Sequence, residues 1–346
     1  MPVTVSRPDT LALASADDFL GDRRTRFLGE GFKRVTHALT GITVIPAAAA
    51  EAGAAAGTTG RIEATASIRV PGLWSQKGGS RQRPHLSTID AMVLAAQLTG
   101  LYAAHTHGLT RKDPFTVRSL SIRAGSAPDE DGIHRFGVGA THRSTLPAPE
   151  PGHARTTMDC HIGSMTVRVE AEHPDTAARD TGEGFYAARE FLPGPWNDNA
   201  YGVSHRTRHQ LLSDINADPG ALTADARLDV TADIEGTRRS PRPATMIDLF
   251  TAALQLGQIL LYRLDGVDRA VSNTLWMRRT SITPAPAGED AGDGRLRVRL
   301  ARPAELPTAD GVWRSARITA THAGMHLVCH VAHRLPRHDH VPALAL

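Results

Sequence analysis

The chain has 346 residues, 41% apolar and 22% charged, an ordinary balance for a folded globular protein and enough length for two cores of roughly 150 residues each. The net charge is only +3, lysine occurs at Lys33, Lys77 and Lys112 alone, and the arginines are dispersed, which excludes a basic run of the kind that marks a nucleic-acid surface. No stretch approaches the roughly 18 apolar residues of a membrane span and no basic-then-apolar leader is present, so the chain reads as cytoplasmic, with Cys160 and Cys329 as reduced strand residues.

Taken in chain order, the first half predicts elements that the second half repeats. The run Asp18–Leu20 matches a run beginning at Glu190, and the same offset sets Arg34 on Arg206 and His37 on His209. Residues 46–59, rich in alanine and glycine, read as a loop between strands. Arg61–Ile68 alternates apolar and polar residues as a half-buried strand does, and Arg227–Ile234 alternates in the same way. Ser87–Gly100 lies on Thr245–Gln258, which pairs Asp90 with Asp248 and Gln97 with Gln255. Val117–Ile122 then matches Met277–Ile282, and His161 and Gly163 match His322 and Gly324.

The offset changes between segments and never within them, as expected when loops gain and lose residues while strands and helices keep their length. Residues 18–175 and 190–336 are therefore two copies of one unit, with 176–189 as a linker. Each copy predicts two strands, a long helix and three or more strands. The helices, from Ile89 to Ala104 and from Ile247 to Leu261, are apolar nearly all round and must be enclosed by protein. An antiparallel sheet wrapped around each helix satisfies this. The expected fold class is α+β, a double hot dog, forming a pseudo-dimer within one chain and leaving further dimerisation open.

Each helix opens on a hydroxyl residue followed three positions later by a carboxylate, Ser87 with Asp90 and Thr245 with Asp248. That is a capping box, which needs no catalytic duty. The same place suits a catalytic carboxylate, because a helix N-terminus presents free amides to an incoming carbonyl. If either aspartate is a base, its replacement by asparagine should cost roughly 100-fold in turnover. Gln97 and Gln255 lie two turns further on, inside the core, where an amide needs a partner from the protein or from a ligand. His85 precedes the first helix and could act as a base near neutral pH; the second copy has Pro243 there, so one site alone is expected to keep full chemistry. Trp74, in a loop absent from the second copy, fits a lid over an acyl chain or a cover for the core edge. The candidates are thus His85, Asp90 and Asp248 for catalysis and Trp74, Gln97, Gln255 and Arg242 for substrate binding, with no metal. HExxH, P-loop, strand-borne GxGxxG and GxSxG motifs are all missing from the sequence, and His105 with His107 is a weak metal pair.

At DDFLGDRRTRFLGEGFKRVTH and STIDAMVLAAQLTG the sequence resembles the AvrD family of avirulence proteins nearly end to end. The resemblance implies a biosynthetic acyltransferase that joins a 3-oxoacyl thioester to a ketose such as xylulose on the way to syringolide-type lactones. More distantly the chain is similar to AfsA-type hot dog proteins, which use a phosphorylated triose and lead to butyrolactones. Hot dog dehydratases carry ExxxQ on this helix, whereas here Gln97 has Val93 four residues earlier and the carboxylate is Asp90. The implied donor rides on the phosphopantetheine of acyl carrier protein or coenzyme A, with no metal or redox cofactor. Two alternatives stand beside this reading: a dehydratase or thioesterase of the same fold, and a non-catalytic ligand-binding protein.

Overall fold

The computed structural model describes residues 10–47, 59–176, 182–192, 194, 201–202, 204–233, 239–286, 288 and 293–336. Most of the loop expected at 46–59, and residues 177–181 of the expected linker, lie outside the described residues.

The first half begins with strand β1 (Leu11–Ser15), a single helical turn α1 (Asp17–Leu20) and three short turns over Arg23–Arg34. Strands β2 (Thr36–Ile45) and β3 (Arg61–Arg69) follow, then a small hairpin of β4 (Gln76–Lys77) and β5 (Ser80–Arg81). Helix α2 (Thr88–His107) leads into β6 (Thr116–Arg123), β7 (Phe136–Pro147), β8 (His153–Ile162) and β9 (Met165–Pro174). The second half runs β10 (Gly184–Ala188), β11 (Arg208–Asp218), β12 (Thr223–Asp233), β13 (Arg239–Pro241), helix α3 (Met246–Asp265), β14 (Trp276–Pro284), β15 (Arg295–Thr308), β16 (Gly311–His322) and β17 (Met325–Arg334).

Both long helices begin and end for the same local reasons. The side chains of Ser87 and Thr245 accept from the amides of Asp90 and Asp248, and those carboxylates return the bond to the cap amides. Gly108 and Gly266 close the helices in the left-handed conformation that glycine adopts without a Cβ penalty. All 20 residues of α2 are buried, as an all-round apolar helix requires. At about 1.5–3 kcal/mol for each large apolar side chain removed from water, these two helices supply much of the drive to fold.

Apart from the β4–β5 hairpin, the strands join one antiparallel sheet in the order β1-β11-β12-β15-β16-β17-β14-β6-β9-β8-β7-β3-β2-β10, with β13 on β12. The order is mirrored about the β14–β6 pair, where Ser281 faces Ser121. Irregular register falls in matching strands on either side: in β2 and β11, in β6 and β14, and in β7 and β15. An extra residue bends and twists its strand. Repeated at equivalent places, such bends curl each half of the sheet over its helix; α2 packs mainly against β8 and β9, and α3 against β15, β11, β12 and β16.

The ends of the sheet hold a feature that the sequence alignment does not show. β1, from the first half, pairs with β11 of the second, and β10, within the expected linker, pairs with β2 of the first. The opening segment of each half therefore completes the other half's edge. The cores are joined at the middle and stitched at both ends.

Candidate active site

A cavity of about 330 Å³ opens at the N-terminus of α2, within the usual size for a small-molecule site. Its wall combines Ser87, Thr88 and Ile89 of the helix mouth, Trp74 and His85 of the preceding loop, and Leu275–Met277 at the start of β14. It is thus built across the two halves.

The helix mouth offers two donors. The capping box occupies the amides of Ser87 and Asp90, and among the described residues no group accepts from the amides of Thr88 or Ile89. Both residues line the cavity and are buried. Free amides at the positive end of a helix are suited to an oxyanion or a polarised carbonyl.

His85 stands beside them. Pro84 biases its predecessor toward extended backbone, and the Leu86 amide is tied to the Asp129 carbonyl at 2.9 Å, so the loop enters the helix by a fixed path. The His85 ring meets Trp74 edge to face with centroids 4.5 Å apart, and Trp74 in turn packs on Phe27 at 4.5 Å. A Cβ at Gly31 would lie 2.0 Å from the Trp74 carbonyl, so the Phe27–Gly31 turn can seat this loop only with glycine there. Burial lowers the His85 pKa from its ordinary value, against opposing effects from the Arg83 backbone, Asp90 and Glu130. The imidazole is therefore neutral at pH 7 and able to take a proton.

Asp90 lies behind this wall, 2% exposed, and does not line the cavity. One oxygen accepts from the Ser87 amide and hydroxyl, and the other meets His37 Nε2 at 2.7 Å. Burial pushes its pKa up, but His37 and Ser87 outweigh burial and hold it below the ordinary value. Capping and the His37 pair account for all of its bonds. We expect Asp90→Asn, which still caps, to cost about 1–3 kcal/mol through the weakened His37 contact. Turnover should stay within several-fold of wild type. Because folding depresses this pKa, the carboxylate's contribution is complete above its unfolded value near 3.9 and is lost as pH falls through the folded value. Denaturant titrations across the acid range should show that limb shrinking in the variant, whereas a 100-fold loss of turnover would return Asp90 to the catalytic group.

Asp248 is fully buried at the mouth of α3 and bonds Arg208, at 2.9 and 2.6 Å, and Gln210, at 2.6 Å. The position of His37 is thus taken by Arg208. The sequence alignment set His209 there, but His209 instead reaches Asp233 at 2.9 Å with a partly exposed ring; alternation along a strand turns neighbouring side chains to opposite faces. The space beside α3 lined by Gln210 and Gln255 measures about 10 Å³, at the limit of one water. The buried Tyr201 lies near Asp248 and Arg208, and burial above all raises its pKa. The two helix mouths differ accordingly: the first opens on a cavity, and at the second Arg208 and Gln210 cover the capping carboxylate.

Gln97 and Gln255 find their partners in the crossed segments. Gln97 accepts from Arg189 at 3.0 Å and donates to the Tyr201 carbonyl at 3.1 Å. Gln255 accepts from Arg26 at 2.7 Å and donates to the carbonyls of Leu28 and Thr251, both at 3.2 Å. Each amide is satisfied by protein, and neither glutamine lines the cavity at α2. Arg242 is exposed, its amide bonded to the Val230 carbonyl, and it too lies away from the cavity. Of the seven candidates read from sequence, the structure brings His85 and Trp74 together. Sequence reading passed over Thr88, Lys77, Gln258 and Arg269, which line the same cavity. Lys77 carried the one available signal: it is one of three lysines and sits in the loop that the second half lacks.

Fold and site together define a class: an α+β protein whose large antiparallel sheet curls over buried helices, with a ligand-sized cavity at one helix mouth. The chain belongs to the AvrD family, whose model, described as Pseudomonas avirulence D protein, matches residues 11–336. Solved structures similar to it include a protein of unknown function with a hot dog fold from Alicyclobacillus acidocaldarius, with 10% identity, a TM-score of 0.35, and coverage of 80% of this chain and 94% of that one. A tesB protein of Mycobacterium avium subspecies paratuberculosis is 11% identical with a TM-score of 0.34, covering 80% and 93% of the two chains. A dehydratase from the borrelidin and fluvirucin polyketide synthases is 14% identical with a TM-score of 0.27, covering 80% and 90%. Among curated proteins none matches.

Proposed function

We propose that this AvrD-family protein is a double hot dog acyltransferase that joins a 3-oxoacyl thioester, carried on acyl carrier protein or coenzyme A, to a hydroxyl of a ketose such as xylulose. The observation that carries the reading is a half-buried imidazole lining, with two unpaired helix amides, a cavity of about 330 Å³. The mirrored strand order with its matching bulges supports the double arrangement.

In this mechanism the thioester carbonyl sits at the amides of Thr88 and Ile89. His85 takes the proton of the sugar hydroxyl as its oxygen bonds to the carbonyl carbon. The tetrahedral oxyanion is held by the two amides, then collapses with cleavage of the carbon–sulfur bond. The imidazolium returns its proton to the departing thiolate, leaving a 3-oxoacyl ester and a free thiol. The methylene between the two carbonyls of that ester is acidic, and its carbanion can attack the sugar ketone to close a butenolide with loss of water. Asp90 and Asp248 serve as caps that fix the helix mouths.

The test follows free thiol released from a 3-oxoacyl thioester with and without xylulose. Release should depend on the sugar, and a saturated thioester of equal length should give far less cyclised product, since it lacks the acidic methylene. Sugar-independent release, or equal use of the saturated donor, would replace this reading with a thioesterase.

A further inference from the structure

One wall of the cavity carries charge that acyl transfer leaves unused. Lys77, on the β4–β5 hairpin, donates to the Asn273 carbonyl at 2.6 Å and to the Ser272 hydroxyl and carbonyl at 3.2 and 3.3 Å. Arg269, in the Arg269–Val271 turn of the other half, donates to the Gln76 carbonyl at 3.0 Å. Each cation is thereby fixed by the backbone of the opposite half. Their approach is close: Gly78 has a positive φ of 51°, and a Cβ there would meet the Ala270 carbonyl at 2.7 Å.

Neither cation forms an ion pair among the described residues. The other cations lining the cavity are paired: Arg26 with Asp17, and Arg83 with Glu130 and Asp131. Asp129 accepts from the Ser164 amide and hydroxyl. Burial, and then the charge of Arg269, lowers the Lys77 pKa to about 8, and burial likewise lowers that of Arg269. Two like charges held together and half-buried, with only the exposed Asp268 acting on Arg269 from the neighbouring position, are costly unless a ligand supplies a counter-ion.

A second observation is independent of charge. The indole Nε1–H of Trp74 and the Nε–H of Arg26 are buried and have no acceptor among the described residues, and both side chains line this cavity. Trp74 is 7% exposed and Arg26 is 3% exposed. Buried donors left unpaired are rare in folded proteins and are met by water, ion or ligand.

We infer that Lys77 and Arg269, with the Trp74 indole N–H, form a phosphate-binding subsite in this cavity, so that one of the two substrates is anchored there by a phosphate group. The inference rests on the acyl-transfer reading only for what the phosphate is attached to: the ketose acceptor, or the coenzyme A form of the donor. The subsite itself needs only the cavity. Arg269 supplies guanidinium donors suited to phosphate oxygens, Lys77 supplies fixed positive charge, and the indole adds one directional bond.

Calorimetric titration with inorganic phosphate, xylulose 5-phosphate against xylulose, and coenzyme A against pantetheine tests this by binding alone, so that a failure of acyl transfer leaves the result readable. We expect inorganic phosphate to bind and at least one phosphorylated compound to bind tenfold or more tighter than its unphosphorylated counterpart. Arg269→Gln should abolish that preference. Trp74→Phe, which keeps the ring and removes the N–H, should reduce it several-fold. Preference for xylulose 5-phosphate places the group on the acceptor, and preference for coenzyme A places it on the donor. Equal affinity within both pairs, or a preference that survives in Arg269→Gln, would overturn the subsite. Melting curves of both variants check that the fold is intact, and Arg269→Lys, which keeps the charge, should retain part of the preference.

Discussion

Replacing His85 with glutamine is expected to lower the rate of ester formation more than about 100-fold, the usual scale for loss of a general base. Glutamine fills much the same space and keeps hydrogen-bonding capacity, but it cannot accept the hydroxyl proton at neutral pH. Binding of the thioester should hardly change, because in the proposed mechanism its carbonyl rests on the Thr88 and Ile89 amides and its acyl chain on apolar residues of the cavity wall such as Leu275 and Met277. The loss should therefore fall in kcat rather than KM. A pH profile sharpens the test. Burial lowers the His85 pKa below its ordinary 6.5, and the base is active when neutral. The wild-type rate should thus be level through neutral pH and fall on the acid side with a midpoint below 6.5. That limb should vanish in His85→Gln. A variant that keeps both the rate and the acid limb would remove His85 from the mechanism and leave the cavity without its base.

The second large effect concerns the closed helix mouth. Arg208→Met is expected to destabilise the protein by about 3–5 kcal/mol, the range for stripping the partner from a buried charge. Asp248 has 0% side-chain exposure and Arg208 has 9%, so water cannot replace the guanidinium. The methionine fills the volume, which leaves the lost ion pair and the lost bond to the Pro243 carbonyl, at 2.5 Å, as the causes. Asp248→Asn in the same background should recover part of the loss, because the neutral amide still caps α3 and leaves no buried charge unpaired. Denaturant unfolding of the two single variants and the double variant measures this coupling directly. Full additivity would mean that Asp248 is balanced by Gln210 and the helix amides instead. Catalysis in the folded fraction should be nearly unchanged, since Arg208 and Asp248 lie away from the cavity at α2.

Much of the fold is written in local sequence signals. Alternation in Arg61–Ile68, the all-round apolar run from Ile89 to Ala104 and the hydroxyl–carboxylate pairs at both helix starts are local signals, set by a strand's period of two and by the unpaired amides of a first helical turn. They gave the element types, the two long enclosed helices and the capping boxes. His85 was also legible, because a histidine just before a helix mouth has a counterpart, Pro243, against which to notice the asymmetry.

The exchange of β1 and β10 between the halves was not legible. Edge pairing is a long-range choice between sheets of similar pattern, and nothing local in Leu11–Ser15 names β11 as its partner. The same holds for Gln97 and Gln255, whose burial predicted that partners exist while only the crossed segments identify them as Arg189 and Arg26. The register of β11 was decided by packing as well, since a shift of one residue turns Arg208 rather than His209 toward Asp248. The composition of the cavity belongs to tertiary structure entirely. Lys77 and Arg269 stand 192 positions apart in sequence and meet because the hairpin of one half folds onto the turn of the other. The sequence thus determined two enclosed helices, their caps and the unequal loops before them; tertiary structure decided which strands close each sheet and which side chains share the cavity, because those depend on contacts between segments far apart in the chain.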